Sequence, residues 1–274
     1  MVETLQLYGI LARKVKELVS WVRRQTSVLV MLSGGLDSGV LAYLCSLALP
    51  KSTYTVTVSS TNVPRKSVSE AAGIAGFLNI THKVIKLDLL GSGRLANNPR
   101  DRCYICKKEI VKAVKEYARD IGVKIILDGT NTDDLKGWRP GLRALEEEGV
   151  LSPYVIFGFS KDDIRVVAAA AKLYFKDKLS DSCLFTRFPY GVEVKPSDLR
   201  RVEEAERLLE DVLKVRRVRV RDYGFYCRIE LDPADFKFTS DRGIVSFVVG
   251  EMKKLGYRRV TLDLEGYRQG SMDS

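Results

Sequence analysis

The sequence predicts an α/β protein in which a parallel sheet carries helices on both faces and is followed by a smaller α+β unit. Three observations predict this. Short β-branched runs alternate with helix-period segments from Ser27 to Lys172. Three of those runs close on small polar residues, Ser33-Gly34-Gly35, Ser59-Ser60-Thr61 and Asp128-Gly129-Thr130-Asn131, as strand ends that face a ligand do. From about residue 195 the alternation gives way to a helix, two strands, a helix and a last strand. The expected domains are therefore 1–194 and 195–274.

In order, the opening MVETLQLYGILARKVKELVSWV reads as an amphipathic helix. SVLVMLS (Ser27–Ser33) is a strand stopped by two glycines, and LDSGVLAYLCSLAL resumes at helical period. Strand Thr53–Ser60, helix Lys66–Leu78, strand His82–Leu87, a polar loop to Arg102, helix Cys103–Asp120 and strand Lys124–Gly129 continue the pattern. Helix Lys161–Lys172 leads to a connector, SDSCLFTRFPYG (Ser180–Gly191). The second unit begins with helix Ser197–Leu213, opened by a Ser cap, then strands VRRVRVRDYG and FYCRIEL, helix SDRGIVSFVVGEMKKLG and strand YRRVTLDL. The tail GYRQGSMDS is too polar to pack by itself.

Composition narrows the chemistry. The 274 residues are 45% hydrophobic, enough for a substantial core, and 45 Lys+Arg against 35 Asp+Glu give a net charge of +10. The single histidine, His82, excludes multi-histidine metal sites, so a metal must be held by sulfur or oxygen; at a strand start it is read as structural. The opening lacks a basic n-region and a small-residue cleavage site, and Ser27–Pro50 is interrupted by SGGLDS. The expectation is a soluble, cytoplasmic protein with no membrane partner. The five cysteines, an odd set with one close pair, suggest metal or redox use rather than a disulfide framework.

The glycine loop Ser33-Gly34-Gly35-Leu36-Asp37-Ser38 sits between a strand and a helix, so backbone N–H groups, two hydroxyls and a helix N-terminus converge on one point. That is a pocket for an anion. It lacks the Gly-Lys-Ser/Thr of a Walker A loop. Gly129 and Thr130, with Asp133-Asp134 beyond, end a second strand on the same edge and suit nucleotide or metal. Cys103-Tyr-Ile-Cys106-Lys107 opens a helix and Cys183 follows 80 residues after Cys103. A CxxC pair can be redox-active or ligate metal, and three cysteines suit a [4Fe–4S] cluster with one open iron. Cys45 and Cys227 read as core residues. Strand alternation puts Arg217, Arg219 and Arg221 on one face; Arg187, Arg219 and Arg221 can grip phosphate or carboxylate, although a charged run is ordinarily a solvated face.

Together, SGGLDS (33–38), NPRDRCYICK (98–107), DGTNTDD (128–134), RPG (139–141), SDSCLFTRFPYG (180–191), RVRDYGFYCRIEL (219–231) and TLDLEGYRQGSM (261–272) resemble the LarE family of ATP-dependent sulfur transferases. The resemblance runs through nearly the whole chain in family order. Tyr223 stands where the family pattern often has histidine. The resemblance implies a PP-loop ATP pyrophosphatase domain of the adenine-nucleotide alpha-hydrolase-like fold and a second domain for substrate binding or oligomerisation. It implies ATP and Mg²⁺ at Ser33, Gly34, Gly35, Asp37, Ser38, Ser59, Gly129 and Thr130, with Asp37 helping to hold Mg²⁺ and Lys107 neutralising charge. It implies that ATP adenylates a carboxylate of pyridinium-3,5-biscarboxylic acid mononucleotide and sulfur then displaces AMP, in making the nickel-pincer nucleotide of lactate racemase. Arg219 or Arg221 would take the substrate phosphate and Arg187 would stand near the reacting carboxylate. The family has two sulfur sources: a sacrificed cysteine at the position of Cys183, or a [4Fe–4S] cluster on Cys103, Cys106 and Cys183. With all three present, the cluster type is expected, in a homo-oligomer with no nucleic-acid partner. A tRNA-thiolating PP-loop enzyme and a non-catalytic nucleotide-binding or redox-sensing protein stand as alternatives.

Overall fold

The computed structural model describes residues 7–272, apart from 92, 138, 180 and 269. The first six residues of the expected opening helix and the last two of the tail lie outside the described residues. The chain divides into two compact units: Met1–Leu89 with Asp101–Asp181, and Leu90–Arg100 with Ser182–Ser274.

The first unit is built as the sequence pattern requires. Its described part opens on α1 (Gly9–Arg23), followed by β1 (Val28–Met31), α2 (Leu36–Ala48), β2 (Thr53–Ser59), α3 (Arg65–Phe77), β3 (Thr81–Lys86), α4 (Arg102–Asp120) and β4 (Ile125–Leu127). The strands form one parallel sheet in the order β3-β2-β1-β4. β1 is central and fully apolar, as a strand covered on both faces must be. Val28 and Val30 point into one core with Leu41, Leu44 and Ile164, while Leu29 points into the other with Val111 and Val114 of α4. The sheet thus has helices on both faces. Periodicity missed two short helices, α5 (Pro140–Glu147) and α6 (Pro153–Ile156); each starts on a proline that pre-sets the helical φ. α7 (Lys161–Ala170) opens on Ser160, whose hydroxyl accepts from Asp163 N–H while the Asp163 carboxylate accepts from Ser160 N–H. His82 on β3 bonds Thr55 through Nδ1 at 2.9 Å, and burial lowers its pKa.

The second unit has its own core. α8 (Pro196–Leu213) is followed by β5 (Val218–Asp222), β6 (Tyr226–Leu231), α9 (Arg242–Lys254) and β7 (Arg259–Leu262), with β5 and β6 antiparallel and β7 parallel to β6. Ala205 and Leu209 of α8 and Val248 and Met252 of α9 pack against Val218, Val220 and Ile229. Ser197 is not the cap expected of it. Pro196 occupies the first helical position, which needs no N–H donor, and the Asp198 carboxylate accepts from Lys195 N–H.

This unit also reaches back beyond the boundary expected at residue 195. Asn98, buried and at φ +45°, donates to the carbonyls of Phe188 at 3.0 Å and Pro189 at 2.9 Å, and Val194 N–H donates to Ala96. These bonds fasten residues 90–100 to the connector. No described helix is long and apolar enough to cross a membrane.

Candidate active site

β1 ends at Met31, and the chain turns through Ser33-Gly34-Gly35 into the N-terminus of α2. The turn is held by its own hydroxyls: Ser33 and Ser38 Oγ atoms lie 2.9 Å apart, and Ser38 Oγ accepts from Ser33 N–H at 3.1 Å. Gly34 stands at φ +78°, and a Cβ there would lie 2.2 Å from the Ser67 carbonyl oxygen. Gly129 is fixed by a second close approach, since its Cβ would meet Ser38 N at 2.8 Å.

These turns line a cavity of about 300 Å³. Ser33, Gly34, Gly35, Asp37, Ser38, Gly129 and Thr130 all border it, and so does Lys107 from the first turns of α4. Ser59 does not; the cavity reaches β2 at Thr57 and Val58. Sequence reading missed Ser67, Lys178 and Asp181, which also border it. Ser67 Oγ donates to Asp181 at 2.9 Å, and Lys178 is paired with Glu70. Lys178 gives this lysine-free loop a cation from a distant segment. No local spacing announces it.

Asp37 carries the clearest electrostatic signature. Burial raises its pKa, against the opposing pull of Lys161, whose Nζ lies 3.9 Å away. Oδ2 accepts from Asn131 at 3.2 Å, whereas Oδ1 is buried with no hydrogen-bond partner. An orphaned carboxylate oxygen in a cavity that Asp134 also borders fits a hard cation such as Mg²⁺. Asn131 caps the 3₁₀ turn Thr132–Lys136 and so fixes Asp133 and Asp134. Thr130 Oγ1 and Ser152 Oγ both donate to Asp128 at 2.6 Å, which holds the strand end rigid.

Cys103 and Cys106 lie three residues apart on the first turn of α4 and so share one helix face; Cys103 is exposed and Cys106 half-buried, with Asn62 Nδ2 donating to its sulfur at 3.9 Å. Tyr104 OH donates to Glu147 of α5 at 2.6 Å and pins this turn. Cys45 and Cys227 are buried core residues, as expected, and burial raises both thiols, Cys227 to about 12. Among the described residues no group of three or more His, Cys, Asp or Glu side chains is arranged to hold a metal ion.

In the second unit, Cys183 is half-buried and immediately precedes the 3₁₀ turn Leu184–Arg187. The arginines are not the solvated face that a charged run suggests. All of β5 is buried, with Arg219 and Arg221 at 4% exposure each. Alternation fixed their face but could not reveal the acceptors that bury them. Arg221 donates to Glu230 at 2.7 Å, Ser271 at 2.9 Å and the Thr186 carbonyl at 2.8 Å, and Arg219 lies over the Tyr267 ring. Arg187 is 1% exposed and turns its guanidinium to protein acceptors, chiefly Glu206.

Residues 9–95 match the NAD synthase family model. An uncharacterised protein of Synechocystis sp. is 32% identical over 96% of this chain and 98% of its own length. The pyridinium-3,5-bisthiocarboxylic acid mononucleotide synthase of Lactiplantibacillus plantarum is 32% identical over 96% of this chain and 95% of its own. A probable tRNA sulfurtransferase of Methanobrevibacter smithii is 25% identical over 68% of this chain and 51% of its own. End-to-end likeness to the synthase, on a parallel sheet whose glycine turn lines a cavity of about 300 Å³, places the chain in the LarE family of ATP-dependent PP-loop enzymes, the sulfur transferases.

Proposed function

We propose that this protein converts a carboxylate of pyridinium-3,5-biscarboxylic acid mononucleotide into a thiocarboxylate, in biosynthesis of the nickel-pincer nucleotide of lactate racemase. The observation that carries this is end-to-end likeness to the L. plantarum synthase, together with the cavity around Gly34 and Asp37. A carboxylate is a poor acyl donor until its oxygen becomes part of a good leaving group. Its oxygen attacks the α-phosphorus of ATP, the bond to pyrophosphate breaks, and an acyl adenylate results. A sulfur nucleophile then attacks the acyl carbon and AMP departs with the carboxylate oxygen. The amides of residues 33–38 would hold the departing pyrophosphate, Asp37 and Asp134 are the residues that would hold Mg²⁺, which would neutralise the phosphates, and Lys107 and Lys178 would offset the developing negative charge.

The CxxC spacing and the likeness of residues 98–107 and 180–191 to the family support assigning Cys103, Cys106 and Cys183 as the residues that would hold a [4Fe–4S] cluster, which would supply a transferable sulfide. The substrate phosphate is assigned to Arg219 or Arg221, which share one face of β5. The protein is proposed to work as a cytoplasmic homo-oligomer, with a small molecule rather than RNA as acceptor.

The test is iron and acid-labile sulfide content after anaerobic reconstitution, for the native chain and Cys183→Ala. The expected result is a cluster in the native chain that weakens in the variant. Absence of a cluster in both, with Cys183 converted to dehydroalanine after one turnover and its sulfur found in the thiocarboxylate, would replace this source with a sacrificed cysteine. Thiolated tRNA in place of thiocarboxylate would overturn the substrate assignment.

A further inference from the structure

Arg187 is a charged side chain with almost no solvent contact, and its hydrogen bonds form two groups. Nε and Nη2 make a two-pronged pair with Glu206, each at 2.8 Å. Nη1 faces the turn that carries Cys183: the Ser182 carbonyl at 3.1 Å, Ser182 Oγ at 2.6 Å, the Cys183 carbonyl at 3.2 Å and Thr186 Oγ1 at 2.9 Å. Thr186 Oγ1 donates in turn to the Cys183 carbonyl at 2.7 Å. Glu206 is itself fixed. It projects from α8 and accepts from Val220 N–H of β5 at 3.0 Å, so its orientation is set by two elements of the second unit. Although burial pushes its carboxyl up, the Arg187 charge prevails and leaves its pKa lowered, so the pair stays ionic.

We propose that Arg187, oriented by Glu206, is the positioning residue of Cys183: it fixes the main chain of residues 182–186 and thereby where the Cys183 sulfur stands. Arginine suits this task because one planar fork binds the carboxylate while its remaining nitrogen serves the turn. A lysine would present one point charge and lose one of the two groups. The inference rests on Cys183 being the sulfur-handling residue of the proposed function. It removes Arg187 from direct contact with the substrate carboxylate.

The test uses the full chain with Arg187→Lys and Glu206→Gln, and with Ser182→Ala/Thr186→Val, which deletes the two hydroxyl acceptors on the turn but leaves the Arg187–Glu206 pair intact should the first two fail to fold. Iodoacetamide labelling of Cys183 is followed against pH by peptide mass spectrometry, with Cys106 labelling and ATP–pyrophosphate exchange as internal references. The expected outcome is a tenfold or larger change in the Cys183 rate and a shifted pH profile, unchanged references, and sulfur transfer reduced at least tenfold with KM for the mononucleotide retained. Native Cys183 labelling in folded variants would overturn the positioning role, and a raised KM with native labelling would return Arg187 to the substrate. Full sulfur transfer by Cys183→Ser would instead sink the functional reading while leaving the labelling result intact, so the two failures are distinguishable.

Discussion

Gly34 meets two demands that no other residue satisfies together, a left-handed φ of +78° and room for the Ser67 carbonyl where a Cβ would stand. Gly34→Ala should cost about 2–4 kcal/mol of stability or reshape the loop, and thermal unfolding with ATP titration will show which. Asp37 provides a sharper functional test. Because burial raises its pKa, it ionises at higher pH than an ordinary aspartate, so Mg²⁺-dependent ATP binding should weaken on acidification before surface carboxylates protonate. Asp37→Asn should abolish that pH arm and lower pyrophosphate exchange at least a hundredfold while the fold persists. Glu230, fully buried, accepts from Arg221, Arg228 and Ser271; Glu230→Ala removes the carboxylate that two guanidinium groups share and should cost about 3–5 kcal/mol in denaturant unfolding. The glycine turn was legible because strand, glycines and helix are contiguous. The setting of Arg187 was not, since its acceptor Glu206 lies 19 residues away and nothing in either segment advertises the pairing.

At the scale of elements, the first turn of α4 owes its place to charges on α5. Glu147 accepts from Tyr104, Arg143 and Lys108, and those hydrogen bonds hold its carboxyl down at about 2, while Lys108 also pairs with Glu148. A carboxylate whose folded pKa is depressed contributes stability above its ordinary value of 4.5 and loses it as pH falls toward about 2. The melting-temperature difference between the native chain and Glu147→Gln should therefore be present at neutral pH and vanish through that window. Wherever a periodic run was long, from α2 to α4 and again in α8 and α9, the sequence located the element to within a few residues. α5 and α6 escaped because four to eight residues hold too few turns to show a period. β5 was found, but as a solvated strand: alternation reports which side chains share a face and says nothing of how deeply the face is covered.

Over the whole molecule, the two units share no core residue: the first is built on clusters around Val30 and Leu41 and around Leu29 and Val111, the second on one around Leu209 and Val220. Leu209→Ala should cost about 2–5 kcal/mol, and hydrogen exchange should place the lost protection in α8, β5 and β6 while the β1 and β2 amides keep theirs. The expected two-part organisation was legible from the change in strand and helix pattern. Assignment of residues 90–100 to the second part was not, because it is decided by hydrogen bonds whose partners are 90 and 91 residues apart in sequence. That separation matters during synthesis. At ribosomal rates of roughly 5–20 residues per second, Asn98 is synthesised about 5–18 s before the carbonyls of Phe188 and Pro189 exist. Until then nothing holds Asn98 in its left-handed conformation and the segment stays open to proteases and holdase chaperones, although every strand of the parallel sheet is translated before Phe188.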